Sequence, residues 1–330
     1  MILAGDVGGT NCRLALYEVE QGRLRQRAEG RVPSQGAHGL HEPVAAFLAA
    51  HGARPEAASF GLPGPVRRGR AVITNLPWVV EEATLRQRLG LSDVFLLNDL
   101  EAFAWGVATL APEALATLQP GASEASGNQA VIAAGTGLGQ AGLFWDGRVH
   151  RPWPTEGGHT DFAPADELQF GLLRFLQERH GRVSWERVVS GPGLVAVHEY
   201  LRDVARVAEP AQLPPELVSS DPSATITRAA AAGACPLARR TMDLFVALYG
   251  AEAGNLALKT MSTGGLFLGG GIAPKILPEL QKPTFLQAFL AKGCMRSLLE
   301  AMPVKVILDD ACGLHGAARH AALRTGRLPA

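Results

Sequence analysis

Asp6, Gly8, Gly9 and Thr10 fall within five residues of one another in the stretch LAGDVGGTNCRLALYE. A glycine pair between an acid and a hydroxyl suits a phosphate: backbone N–H groups and the Thr10 hydroxyl can cradle the anion. Asp6, at the end of a strand, can orient a magnesium ion through water. The rival reading is a plain tight hairpin whose glycines supply φ > 0. The candidate phosphate residues are Gly5, Asp6, Val7, Gly8, Gly9 and Thr10. A second glycine turn, Gly135, Thr136 and Gly137 in AVIAAGTGLG, and a third at Gly269 to Gly271 in GLFLGGGIAP, favour the phosphate reading.

Three other phosphate architectures are excluded or weakened. A P-loop needs G-x-x-x-x-G-K-[ST], with the lysine reaching the terminal phosphates. The chain has five lysines and the first is Lys259, so the first turn has none nearby. A dinucleotide fold needs a helix after the glycines, but CRLALYEV alternates with period two and reads as a strand. A protein-kinase glycine loop needs a strand lysine and an H-R-D loop, and neither occurs.

The elements that must position these turns follow from periodicity. MILAGD and CRLALYEV read as two strands joined by the Gly8-Gly9 turn, Leu14 and Leu16 on one face and Arg13, Ala15 and Tyr17 on the other, and a polar third strand follows EQGRL. Residues 39–52 and 81–89 read as helices, 58–66 and 70–78 as strands running into turns, and 94–99 as a strand before an apolar helix from Leu100. Residues 111–128 read as an irregular crossing segment. The strand–glycine turn–strand pattern then returns over 130–149, a weak internal repeat. Residues 165–260 are mostly helical with a Pro-rich break at 209–222, 236–261 forms a long helix, and 265–277 is a strand, a glycine turn and a helix start with Pro274 in its first turn. Residues 304–308 make a last core strand and 313–324 a final helix that returns to the first domain.

The chain's 330 residues exceed one core of ordinary size, at ~100–200 residues per domain. The expected division is a smaller unit, 1–110 with 309–330, and a larger one, 111–308. A hydrophobic share of 47% with 19% charged residues suits a globular protein. A net charge of zero provides no broad footprint for nucleic acid or anionic membrane. No apolar run reaches the ~18–20 residues of a spanning helix, no leader pattern opens the chain, and a cytoplasmic location is expected. Cys12, Cys235, Cys294 and Cys312 are dispersed, with no C-x-x-C pair, so they read as reduced thiols rather than a zinc site.

Other polar residues carry two readings each. Asp99 ends a buried strand beside Asn98, where a carboxylate can accept a hydroxyl proton in phosphoryl transfer. From position alone, a cap on the helix from Leu100 is favoured. Glu156 and His159 in the E-G-G-H turn can span neighbouring sugar hydroxyls or belong to a solvated loop. Glu186 in SWERVVSG follows Ser184, a candidate helix cap, and reads as an acid favoured by the helix dipole. Asn75 in TNLPW is a pocket wall or a turn residue. Arg13 reaches phosphate or makes a structural ion pair; both stay open.

D-x-G-G-T-N-x-R, LLND, G-T-G-L-G, EGGHTDFAP, SWERVVSGPG and GGGI occur in the order seen in bacterial glucokinases, sugar kinases of the hexokinase–actin–Hsp70 fold. The chain resembles that family over nearly its whole length. EGGHTDFAP with ERVVSGPG is specific; D-x-G-G-T alone is shared by many sugar kinases. The dispersed cysteines and a chain starting at the first strand set it apart from the zinc-bearing kinases and repressors of the ROK group. The resemblance implies an α/β fold of two actin-like domains with an interdomain cleft. It implies transfer of phosphate from ATP, with Mg²⁺, to the 6-hydroxyl of glucose. Asp99 matches the catalytic base, Asn98, Glu156 and His159 the sugar contacts, and Glu186 the residue at the anomeric end. The first two turns match the phosphate-binding residues, and Gly270 would let the adenine ring approach the backbone. A glycine needed only for strand–helix packing is the alternative there. A homodimer is also implied. The rivals are a kinase for another hexose, one using ADP or polyphosphate, and a non-catalytic sugar sensor.

Overall fold

The computed structural model describes residues 1–73, 76–207, 215 and 218–329. The chain begins with β1 (Ile2–Val7), β2 (Asn11–Glu20) and β3 (Arg23–Pro33), then α1 (His41–His51) and β4 (Ala57–Leu62). Three short strands follow, β5 (Val66–Arg67), β6 (Arg70–Val72) and β7 (Val79–Glu81), with α2 (Glu82–Leu89), β8 (Asp93–Asn98) and α3 (Asp99–Val107). Next come β9 (Leu115–Gln119), β10 (Gln129–Ala134), β11 (Leu138–Trp145) and β12 (His150–Thr155). The helices α4 (Glu167–His180), α5 (Gly191–Asp203), α6 (Pro222–Ala231) and α7 (Pro236–Thr260) precede β13 (Gly265–Gly269). The chain ends with α8 (Leu277–Leu280), α9 (Pro283–Leu290), α10 (Arg296–Glu300), β14 (Val304–Ile307) and α11 (Cys312–Arg324).

Contacts group these elements into two units: Met1–Ala114 with Leu143–Pro154 and Asp309–Ala330, and Leu115–Gly142 with Thr155–Leu308. The first unit's sheet runs β3-β2-β1-β4-β8. Here β1 is antiparallel to β2 and parallel to β4, which is parallel to β8. One face buries Leu3, Leu14, Leu16 and Phe60; the other packs Ile2, Ala4, Ala15 and Tyr17 on Leu314, Ala317, Ala318 and Ala321 of α11. This is the two-faced alternation expected of CRLALYEV. The α11–α3 contact is very close, because a Cβ at Gly106 would lie 2.0 Å from the Cys312 carbonyl oxygen and one at Gly316 1.8 Å from that of Ala102.

The second sheet runs β12-β11-β10-β13-β14-β9, with β10, β13 and β14 mutually parallel. Counted from each first strand, both sheets have the order third, second, first, fourth, fifth. The weak repeat in sequence is therefore a repeat of sheet topology. The 25-residue α7 is buried on most of its circumference, with Arg240 exposed.

β9 departs from the expected reading, and β12 falls in a stretch given none. The segment 111–128 holds β9, an edge strand antiparallel to β14; its Ala- and Thr-containing LATLQ is half-buried and lacks a strong alternation. β12 contains Pro152 and Pro154, which an edge strand tolerates because its outer N–H side needs no ladder partner. The stretch 70–78 opens on β6, which joins β5 and β7 in a separate three-stranded sheet. Part of the break at 209–222 lies outside the described residues.

Candidate active site

The first turn is pinned from below. Gly8 N–H donates to the Asn11 carbonyl (2.9 Å), Ser34 N–H to that of Thr10 (2.9 Å), and buried Ser34 Oγ to that of Gly8 (2.8 Å). Among the described residues, no acceptor takes the Gly9 or Thr10 N–H or the Thr10 hydroxyl. Neither Gly8 nor Gly9 has a positive φ, so left-handed backbone does not explain the pair, although a Cβ at Gly8 would lie 3.0 Å from the Asn11 carbonyl oxygen. The set narrows at its other end. Gly5 lies inside β1, paired with Leu14 and Phe60, and a Cβ there would sit 2.5 Å from Phe60 Cδ1. Packing, not a ligand, accounts for that glycine, and the Val7 side chain belongs to the same core.

Asp6 lies opposite Arg13 in the β1–β2 register. Arg13 Nε donates to Glu29 (2.7 Å) and its NH1 group to the Asp310 carbonyl (2.9 Å) and carboxylate (3.0 Å). Of the two roles open for Arg13, the structure shows the ion pair. Burial pushes the Asp6 carboxyl up from its ordinary range, while Arg13 and Arg31 draw it down. No described residue donates a hydrogen bond to it. A half-buried carboxylate without a donor fits a cation, directly or through water.

Asn98 and Asp99 stand at the carboxyl end of β8, which is where open parallel sheets place their ligands. Asn98 Oδ1, not Asp99, caps α3, accepting from Leu100 N–H (2.9 Å) and Glu101 N–H (3.4 Å); Asn98 Nδ2 donates to the Gly64 carbonyl (3.2 Å). Asp99 is the first residue of α3, and its Oδ1 accepts from Leu100 N–H (2.8 Å). The α3 cap is therefore Asn98, and Asp99 is the helix's first residue rather than its cap. Gly61 on neighbouring β4 keeps that corner tight: a Cβ there would lie 3.0 Å from Ala102 Cβ.

In the second unit the Gly-Thr-Gly turn repeats the first. Gly135 N–H donates to the Gly137 carbonyl (2.8 Å), and the Gly135 carbonyl accepts from Gly191 N–H (2.8 Å) at the start of α5. No described acceptor takes the Thr136 or Gly137 amide. Gly135 is glycine without a positive φ and with nothing within 4 Å of where a Cβ would stand. Gly271, after parallel β13, is equally open, whereas Gly270 is fixed by φ +79° and a Cβ position 2.4 Å from the Ala134 carbonyl oxygen. Of the two accounts of the third turn, packing therefore explains Gly270, and the open approach belongs to Gly271.

Glu186 joins this turn to the E-G-G-H turn. Its Oε2 accepts from Leu138 N–H (2.9 Å), and its Oε1 lies 4.0 Å from His159 Nδ1. Glu186 sits in a single 3-10 turn, Trp185–Arg187, that Ser184 does not cap with its side chain; the helix cap is Ser190, ahead of α5. The helix-dipole account of Glu186 thus falls. Glu156 is exposed, its carbonyl accepts from His159 N–H (3.0 Å), and no described residue engages its carboxylate. The strip behind is held by Trp185 N–H on the Thr160 carbonyl (3.0 Å), Phe162 N–H on that of Val183 (3.0 Å) and an edge-on Phe162–Trp185 ring pair 5.0 Å apart. Asn75 lies outside the described residues. Sequence reasoning missed Ser34, which carries no signal, and Gln140, a polar residue at an inward position of an apolar strand.

Two sheets of the same strand order, each with a glycine turn after its first strand, match the fold of hexokinase-type sugar kinases. A solved glucokinase from an Antarctic psychrotroph superposes with a TM-score of 0.85 at 30% identity, covering 98% of each chain. The glucokinase of Balamuthia mandrillaris, solved with glucose, shares the fold at 23% identity and a TM-score of 0.77, over 97% of this chain and 93% of that one. The glucokinase of Trichormus variabilis is 42% identical over 98% of this chain and 99% of its own, and the glucokinase family model matches residues 3–324. The chain belongs to the glucokinase family.

Proposed function

We propose that the chain transfers the γ-phosphoryl group of ATP to the 6-hydroxyl of glucose, giving glucose 6-phosphate and ADP. The observation that carries this reading is the Glu186 carboxylate, which touches the amide after the Gly-Thr-Gly turn and faces His159 of the E-G-G-H turn. A phosphate turn and a sugar turn sharing one carboxylate suit phosphoryl transfer, whose catalysis is mostly positioning and charge stabilisation. Asp99 accepts the proton as the sugar oxygen attacks, and Asn98 orients that corner. Glu156, His159 and Glu186 bind the ring hydroxyls. The amides of Gly9, Thr10, Thr136 and Gly137 and the Thr10 hydroxyl take phosphate oxygens. Asp6 is the residue fitted to hold Mg²⁺, directly or through water, and the ion would supply charge neutralisation at the outer phosphates.

Family membership also supports a cytoplasmic homodimer as part of this reading. No helix among the described residues is long and apolar enough to cross a membrane. The deciding experiment measures ADP released from Mg-ATP with and without glucose. Strong glucose-dependent release is expected; none, with glucose still binding, would refute catalysis and leave a sensor.

A further inference from the structure

Glu252 is the one carboxylate in the described core with no exposed surface. It sits about two-thirds of the way along α7, where an unpaired charge is strongly unfavourable. Both its oxygens accept: Oε1 from Gln140 Nε2 (2.7 Å) and Oε2 from Asn255 Nδ2 (2.9 Å). Asn255 Oδ1 in turn accepts from Lys292 Nζ (2.7 Å), which also donates to the Ala251 carbonyl (2.9 Å). The chain of bonds starts at Lys292 and ends on Gln140, itself buried in β11.

Gln140 meets the E-G-G-H turn in two ways. Its side-chain Oε1 lies 2.1 Å from where a Cβ at Gly157 would stand, so it packs directly on that Cα. Its carbonyl accepts from Thr155 Oγ1 (3.1 Å), which accepts from Gly157 N–H (3.2 Å). Gly157 is flanked by Glu156 and followed two residues on by His159. The orientation of the Gln140 amide, fixed by Glu252, thus sets where that turn's backbone can rest.

We propose that Glu252 and Gln140 are positioning residues that hold the Glu156–His159 turn in register for the sugar. The inference rests on the sugar-binding reading of that turn. Removing the carboxylate alone would leave the buried Gln140 amide without its acceptor, so the test exchanges the two partners instead of deleting one.

The test exchanges the pair. Gln140→Glu sets two carboxylates against each other, and Glu252→Gln sets an amide against the Asn255 amide. The double variant restores every bond, since the amide at 252 donates to the carboxylate at 140 and accepts from Asn255. Each single variant should raise the glucose KM at least tenfold and shift the ATP KM less than twofold, and the double variant should return the glucose KM to within about threefold of the parent, the coupling read by a double-mutant cycle. A glucose KM unchanged in folded single variants, both KM values rising together, or a double variant that stays impaired or does not fold overturns the proposal. If a single variant does not fold, the double variant decides alone on the same criterion. A parent protein without glucose-dependent ADP release refutes the function reading instead. The placement is then read by hydrogen exchange at the Gly157–Thr160 amides, faster in Gln140→Glu and restored by the exchange; no change there sinks it.

Discussion

Acidification should destabilise the first unit through one residue, His320. This histidine lies on α11 and is 6% exposed. Its ring stands edge-on to Phe95 (5.4 Å) and tilted on Trp105 (5.6 Å), and Nδ1 lies 3.4 Å from Ser59 Oγ. Burial pushes its pKa down to about 4, and the Arg324 charge acts the same way. In an unfolded chain the value is near 6.5. Between those values the unfolded chain binds the proton and the folded one does not. Stability is therefore complete above about pH 6.5, falls as pH drops through that range, and levels off below about 4. At about 1.4 kcal/mol per pKa unit, the loss totals about 3 kcal/mol, and most of it is reached by pH 4.5. Urea unfolding of the parent and of His320→Leu at pH 7.5 and pH 4.5 isolates this contribution, because the titration of all other groups cancels in the difference. The parent should lose about 2 to 3 kcal/mol more than the variant over that interval. Equal losses, within about 0.5 kcal/mol, would refute a neutral buried histidine.

Asp99→Asn should lower kcat by roughly 10²–10⁴-fold, the usual weight of a general base, while glucose binding by calorimetry stays within a few-fold; turnover within tenfold of the parent would remove Asp99 as the base. Glu156→Ala deletes a charged acceptor of about 1.5–3 kcal/mol, so the glucose KM should rise about 10- to 100-fold with the ATP KM unchanged; an unmoved glucose KM takes Glu156 out of the sugar site. Gly135→Ala adds a methyl where nothing lies within 4 Å. Stability should stay within about 0.5 kcal/mol, as for a surface change, while the ATP KM rises; a normal ATP KM would mean that the open space serves no phosphate. Gly106→Ala should instead destabilise by about 1–3 kcal/mol or more, as overpacking does, since its Cβ would lie 2.0 Å from the Cys312 carbonyl oxygen; an unchanged melting temperature would show that the α3–α11 contact yields.

Period-two alternation in CRLALYEV already assigned the first strand pair and its two faces, because it is a local property that packing on each face reads out. The sequence also supplied the candidate chemistry: motif order named Asp99, Glu156, His159, Glu186 and the glycine turns as the residues to test, within a chain whose residues 3–324 match the glucokinase family model. What each polar residue does was decided only in three dimensions. Asn98 caps α3, an assignment the adjacent pair Asn98-Asp99 leaves ambiguous because both side chains can reach the same amides. Arg13 finds Asp310, 297 residues away, and no local pattern can announce so distant a partner. Glycines show the division most clearly. Gly5 avoids Phe60, Gly270 needs a positive φ against Ala134, and Gly135 has neither reason. The letter is the same in each case, and only the atoms around it, brought there by the sheets, decide whether the missing side chain makes room for the protein or for something bound to it.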